Sequence, residues 1–351
     1  MEPPLLKCVV WDLDDTVWHG TLLEGDRLVL RDGIAEVLAA LDARGVLHSI
    51  ASRNEPDDAL AALERFGLRD YFLCPQIGWG PKPDSLRAIA AELGLGLNSL
   101  AFVDEQPAER AEVAFSLPEV RCLDPDNLAH FLALPELSPR FITDDSRARR
   151  RMYQETLTRN RQELAFAGPR EDFLASLGMR LTIGPACESD LRRAEELTER
   201  THQFNSTGHS YSHEELDRLR TSPSHTLLVA GLSDIYGSYG TVGLALVERD
   251  DALWTLKVLL VSCRVLSKGV ASLLLREVQA EARRRGVALR AEIVPNERNV
   301  LMSVSYKFAG FRELERRDGL ILYEDGIAEL APSPGHVSVI TRDWNVEATV
   351  S

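Results

Sequence analysis

The sequence predicts two different folds in tandem, an α/β domain on a parallel sheet followed by an α+β domain, and three observations predict it. At 351 residues the chain exceeds what one core of about 100 to 200 residues accounts for. Its first part alternates short apolar runs with amphipathic segments, the pattern of a parallel sheet flanked by helices. After Asp145 an arginine-rich stretch intervenes, and the pattern changes to consecutive strands followed by a long helix.

In the first part the strands read at "LKCVVWDL", "VLHSIAS", "YFLCPQI", "SLAFVDE" and "VRCLD", with helices such as "GIAEVLAALDARG" and "PDDALAALERFG" between them. In the second, "MRLTIGPA" precedes the helix "ESDLRRAEELTERTHQFN". Strands "HTLLVAGL", "GTVGLALVE" and "LWTLKVLLVSCRV", the helix "GVASLLLREVQAEARRRG" and the strand "ALRAEIVP" follow. The expected boundaries are a first domain over 1–145, a helical connector over 146–175, a second domain over 176–331 and a tail over 332–351 in which no element is read.

Composition bounds the function. With 44% apolar and 27% charged residues the chain is that of an ordinary globular protein, and no apolar run approaches the roughly 20 residues that span a bilayer. The start "MEPPLLK" lacks a basic segment and a long apolar one, so no secretory signal is read and the cytoplasm is expected. Cys8, Cys74, Cys122, Cys187 and Cys263 stand singly, without a C-x-x-C pair, and are expected as free thiols. A net charge of -14 repels nucleic acid and anionic membranes, so neither is an expected partner. The basic stretch "RARRRMYQETLTRNR", Arg147 to Arg161, reads as a solvated helix face.

Three carboxylates, Asp12, Asp14 and Asp15, follow the apolar run "CVVW" at once. An unpaired carboxylate inside a strand is costly, so these acids belong at the strand's end, where a cation or substrate holds them. Ser52 follows the second strand, Lys82 lies in the "GPKPDS" loop before a helix, and Asp104 and Glu105 follow the fourth strand. In parallel sheets such strand ends gather reactive groups. Phosphoryl transfer needs this set. One carboxylate attacks phosphorus, a second two residues on shuttles a proton, a hydroxyl and an ammonium hold phosphate oxygens, and further carboxylates bind Mg²⁺.

The motifs "DLDDT", "ASRN", "GPKPDS" and "FVDEQPAER" resemble those of the haloacid dehalogenase (HAD) superfamily of aspartyl phosphatases. The resemblance implies Asp12 as nucleophile and Asp14 as general acid/base. It implies Thr16, Ser52, Arg53 and Lys82 around the phosphate, and Asp12, Asp14 and Asp104 around Mg²⁺. Glu105 stands where a second aspartate is common, which leaves Asp104 as the safer ligand. Residues 17–51 and 53–81 leave no room for the cap domain that many such enzymes insert, and an uncovered site suits a phosphate presented on a large carrier.

The second part resembles GNAT acyltransferases, which bind coenzyme A at an R/Q-x-x-G-x-G/A loop that opens a helix. In "CRVLSKGVA", Arg264 and Gly269 fit that loop, and Ser267 replaces its first glycine. Cys263 ends the strand leading into it, where such folds hold the acyl thioester. Both parts in this order, with "ERTHQFNSTGHSY", "YGSYGTVGLALV" and "LLVSCRVLSKGV", resemble the FkbH-like proteins of polyketide biosynthesis. That resemblance implies formation of a glyceryl thioester on the phosphopantetheine of an acyl carrier protein from 1,3-bisphosphoglycerate, with removal of phosphate. Cys263 would take or pass the acyl group, and Thr201, His202 and Asn205 would line its pocket. Two alternatives stay open: a HAD phosphatase with a carrier-docking second domain, and a GNAT-type N-acyltransferase with a vestigial first domain.

Overall fold

The computed structural model describes residues 5–201, 204–297, 299–327, 329–330 and 334–344, and at Ser267 the backbone alone. The chain divides into two compact units, residues 1–158 and 159–351.

In the first unit five strands form one parallel sheet: β1 (Cys8–Trp11), β4 (Leu47–Ser52), β5 (Gln76–Ile77), β6 (Leu100–Val103) and β7 (Arg121–Leu123). Their order is β5-β4-β1-β6-β7, so β1 is central and the order reverses across it. This explains why "CVVW" is apolar without alternation: a central parallel strand is covered on both faces. Val9 and Trp11 enter one core with Leu38 and Ile50, and Cys8 and Val10 enter the other with Phe102 and Leu86. The helices are α1 (Ile34–Ala43), α2 (Pro56–Arg65), α3 (Lys82–Leu93), α4 (Pro107–Ser116), and the short α5 (Leu128–Phe131) and α6 (Asp144–Arg147). Prolines open α2 and α4, where a missing N–H costs nothing, and α3 ends at Gly94 with φ 63°. Between β1 and α1, where a simple loop is expected, β2 (Trp18–His19) and β3 (Val29–Leu30) make a small antiparallel hairpin.

Helix α7 (Arg149–Ala165) carries the basic stretch, and the division between units falls inside it. Tyr153 and Leu157 pack on the first core, whereas Phe173 and Leu174 of α8 (Arg170–Ser176) pack into the second. The segment expected as a separate connector is thus shared between the two units. The solvated-face reading of its arginines needs correction too. Arg159 is 3% exposed and donates Nε and Nη2 to the two carboxylate oxygens of Asp234 at 2.7 and 2.9 Å, and Arg150 pairs with Asp42 at 2.9 Å.

The second unit is an α+β fold around eight strands: β8 (Met179–Pro185), β9 (His225–Asp234), β10 (Gly237–Arg249), β11 (Leu253–Val261), β12 (Ala288–Ile293), β13 (Phe311–Arg317), β14 (Leu320–Asp325) and β15 (Val337–Thr341). They order as β13-β14-β12-β11-β10-β9-β8-β15. Strands β8 to β11 run antiparallel in sequence, and β11 pairs parallel with β12 after the crossover helix α11 (Val270–Arg285). The remaining helices are α9 (Leu191–Arg200), α10 (His213–Thr221) and α12 (Val300–Phe308). The tail set aside after residue 332 contributes β15, which pairs parallel with β8, and Trp344 stacks on Trp254 at 5.7 Å.

Strands β11 and β12 pair only from Leu253↔Ala288 to Leu256↔Ala291. Beyond that point Phe204–Ser206 takes the outer edge of β11. Val261 N donates to Phe204 O at 2.9 Å, Ser206 N to Leu259 O at 3.0 Å, and Leu259 N to Ser206 Oγ at 3.1 Å.

Candidate functional site

The adjacent ends of β1, β4 and β6 bring Asp12, Ser52 and Asp104 together, because the three strands pair in register and each residue ends or directly follows its strand. Lys82 opens α3, is 3% exposed, and bonds to Asp12 Oδ1. Its Nζ lies 3.3 Å from Asp104 Oδ2 and donates to the carbonyl of Ala51 at 2.8 Å. One ammonium is thus shared by two buried carboxylates. Burial above all, with Asp104 and Glu105 nearby, holds the Asp12 carboxyl up at about 7, although Lys82 pulls it down. A single shared cation does not offset the desolvation of Asp12.

The turn after β1 is built by Leu13 O, which accepts from Val17 N at 2.8 Å, and by Asp15 at φ 50°, a conformation that aspartate tolerates better than most residues. It buries Thr16, whose Oγ1 donates to Glu105 Oε2 at 2.7 Å and accepts from Glu105 N at 3.1 Å. Thr16 and Glu105 therefore tie the first and last acidic loops together.

Asp14 takes its hydrogen bonds from residues other than Lys82. Its Oδ1 accepts from Trp18 Nε1 at 2.9 Å and Leu22 N at 3.2 Å, and its Oδ2 accepts from Asn54 Nδ2 at 3.1 Å. Both of its oxygens thus accept from protein donors. Arg53 pairs with Glu109 of α4 at 2.7 Å. Asn54, 1% exposed, donates to Ser52 Oγ at 3.2 Å as well as to Asp14. By sequence alone an asparagine after a strand reads as a turn former; its position two residues past Ser52, like Asp14 past Asp12, is the signal that marks it.

Among the described residues no three of His, Cys, Asp and Glu stand close enough to hold a metal as they are. The donor set nevertheless fits a hard cation at Asp12 and Asp104. Both offer carboxylate oxygens, both are buried, and Asp104 Oδ2 accepts no hydrogen bond, its neighbour being the Lys82 ammonium at 3.3 Å. Asp104 is held for that role by Gln106 N, which donates to its Oδ1 at 2.8 Å, and by Arg110, which donates to its carbonyl at 2.5 Å.

In the second unit Cys263 is exposed and opens the 3-10 turn Cys263–Lys268 that leads through Gly269 into α11. Gly269 has φ 75°, which a glycine adopts without strain. Arg264 Nη2 donates to Tyr239 O at 3.1 Å, and Lys268 Nζ lies 5.5 Å from the Tyr239 ring. Burial lowers the Lys268 pKa, partly countered by Asp234. Tyr239 also donates to Asp234 Oδ2 at 2.8 Å, and Arg159 lies 4.0 Å over its ring, so the turn after Cys263 rests on a buried polar hub.

Thr201 is buried at the end of α9. Asn205 is fully buried, and its Oδ1 accepts from Thr207 N at 3.2 Å and Gly208 N at 2.9 Å. It shapes its own loop, in place of the substrate contact expected of it. His202 lies outside the described residues.

No family model matches the chain, and no curated protein matches it. Among solved structures it is similar to the N-terminal part of a Bacteroides fragilis protein containing a phosphatase domain, complexed with Mg. That match has 26% identity over 38% of this chain and 40% of the other, with a TM-score of 0.34. This chain thus spans less than half the length of that protein chain. It is also similar to the ribosomal-protein-S18-alanine N-acetyltransferase of Escherichia coli, with 20% identity over 42% of this chain and 96% of that one, TM-score 0.34. A third similarity is to the GNAT domain of Streptomyces lividans PAT, at 22% identity over 40% and 88%, TM-score 0.33.

Proposed function

We propose that the chain combines a phosphatase site with an acyl-transfer site. Together they load a glyceryl unit from 1,3-bisphosphoglycerate onto the phosphopantetheine thiol of an acyl carrier protein, with removal of phosphate. The observation that carries this reading is the meeting of Asp12, Lys82, Asp104 and Ser52 at adjacent strand ends, with Asp14 two residues from Asp12. The exposure of Cys263 supports the second half of it and counts against the alternative in which that thiol only fills a core.

The Cys263 sulfur attacks the acyl-phosphate carbonyl, the carbon–oxygen bond to phosphate breaks, and inorganic phosphate leaves with the proton of the thiol. The carrier thiol then displaces Cys263 from the thioester and returns its proton to that sulfur. At the first site an Asp12 oxygen attacks the remaining phosphorus while Asp14 gives a proton to the departing glyceryl oxygen. Water, deprotonated by Asp14, cleaves the aspartyl phosphate and restores Asp12. Lys82 and Ser52 hold phosphate oxygens. Mg²⁺ at Asp12 and Asp104 would neutralise the charge gathered there when bound.

Intact-mass measurement of a phosphopantetheinylated carrier after mixing with the enzyme, Mg²⁺ and 1,3-bisphosphoglycerate tests the reading. A glyceryl adduct is expected with the wild type, and a phosphoglyceryl adduct with Asp12→Asn. Phosphate release from that adduct by Asp12→Asn at the wild-type rate would sink the phosphatase assignment.

A further inference from the structure

Asp14 is held from two sides. The hairpin supplies Trp18 Nε1 and Leu22 N to one oxygen, and the loop after β4 supplies Asn54 Nδ2 to the other. Trp18 is fully buried and Asn54 is 1% exposed, so neither donor is free to wander. The same Asn54 amide nitrogen lies 3.2 Å from Ser52 Oγ, the hydroxyl assigned to the phosphate. Asn54 therefore connects the group that holds phosphate to the group that moves the proton. Its amide is oriented with the N–H₂ edge toward Asp14, which suits the carboxylate that remains once Asp14 has given up its proton. That leaves Asn54 Oδ1 buried and without a donor.

We propose that Asn54 is a positioning residue for proton transfer: its amide fixes the Asp14 carboxylate relative to the phosphate held at Ser52, so that Asp14 meets the leaving oxygen. This rests on the reading of Asp14 as the proton-transfer group. In that step the Asp12 oxygen–phosphorus bond forms, the phosphorus–oxygen bond to the leaving group breaks, and the Asp14 proton passes to the leaving oxygen. A leaving group that is already a stable anion needs this proton little; an alkoxide needs it greatly. Loss of Asn54 must then damage alkyl phosphate cleavage more than aryl phosphate cleavage, a selectivity that a mere packing defect does not produce.

The test uses the full chain with Mg²⁺, and compares kcat/KM for glycerol phosphate and p-nitrophenyl phosphate. Asn54→Ala is expected to lose about 30- to 100-fold on the alkyl ester and under about fivefold on the aryl ester, a loss that reaches only the lower edge of what general acid catalysis contributes because Asp14 itself is kept. Asn54→Asp keeps the side-chain shape and replaces the donor by an acceptor, and is expected to show the same selectivity. Shape alone predicts that it behaves as the wild type. In an Asp14→Asn background either replacement is expected to change kcat/KM by less than about threefold, because the residues act as one unit. Equal losses on both esters, or a full further loss in the Asp14→Asn background, would overturn the positioning role while leaving the phosphatase reading intact. Asp12→Asn run alongside separates the two: hydrolysis undiminished in that variant overturns the phosphatase reading itself. Thermal unfolding of both Asn54 variants identifies misfolding, and selectivity retained by the folded one decides the matter.

Discussion

Replacing Lys82 by methionine removes the ammonium between Asp12 and Asp104 while keeping most of the aliphatic stem. The side chains of Lys82, Asp12 and Asp104 are 4%, 10% and 1% exposed. Removing one partner of so buried an ion pair costs about 3 to 5 kcal/mol. Coulomb's law at the 3.3 Å separation from Asp104 gives about 5 kcal/mol with an effective dielectric constant of about 20, the same order. The deficit has a pH signature. Burial first, and Asp104 with it, already hold the Asp12 carboxyl at about 7, and Lys82 is the influence that lowers it. Without Lys82 the native state keeps that proton to still higher pH, whereas an unfolded aspartate loses it near about 3.9. The native state then binds more protons than the unfolded one, so stability falls as pH rises. Above about pH 8, where the wild type has finished losing this stability, the variant continues to lose up to about 1.4 kcal/mol per pH unit. Urea unfolding of both proteins at about pH 5.5, 7 and 8.5, with phosphate release measured alongside, reads the effect. A Lys82→Met variant as stable as the wild type, or with a deficit independent of pH, would refute the shared-ammonium account.

Three further outcomes are expected. Burial pushes His48 down to about 3, and its ring accepts from Trp11 Nε1 at 3.1 Å through Nδ1 while Nε2 meets Leu38 O at 3.1 Å. The unfolded state takes up that proton from about pH 6.5 downward, so the stability is present above that pH and is lost between there and about 3; a His48 NMR titration midpoint near 6.5 would contradict this. Cys263→Ala is expected to lose self-acylation and glyceryl-carrier formation yet keep alkyl phosphate cleavage, while Cys8, Cys74, Cys122 and Cys187 are replaceable at about 1 to 3 kcal/mol each. Undiminished carrier loading by a folded Cys263→Ala would favour direct attack by the carrier thiol. Trp79 is 60% exposed, with its indole N–H on Glu55 at 3.2 Å, whereas Trp11, Trp18, Trp254 and Trp344 are at most 6% exposed. Iodide should therefore quench only a fraction of the fluorescence, and Trp79→Phe should abolish that fraction; strong quenching retained in the variant would show a second exposed indole.

The site was legible where local pattern forces position. A carboxylate cannot follow "CVVW" in a buried strand without lying at its end, and the same reasoning places Ser52 and Asp104. What escaped depends on partners far away in sequence. Arg159 looks like any arginine on a polar helix until Asp234, 75 residues on, accepts both of its donors. Asn54 reads as a turn residue until its amide is seen against Asp14, and the orientation of the Asp14 carboxylate is set by a hairpin in a segment whose sequence reads as a loop. Asn205 misled in the opposite sense, since a buried polar side chain can serve its own loop as readily as a substrate.

The pairing of β15 with β8 has a consequence for the making of the protein. β8 begins at Met179 and β15 at Val337, so at about 5 to 20 residues per second the ribosome needs roughly 8 to 30 s to supply the partner. During that interval the outer edge of β8 carries unpaired N–H and C=O groups, a surface on which other nascent chains can add a strand. Synthesis rate and chaperone cover between these two segments thus bear on yield, and stop codons placed before Val337 should give chains that aggregate even though every residue of the Asp12–Lys82–Asp104 cluster has been made.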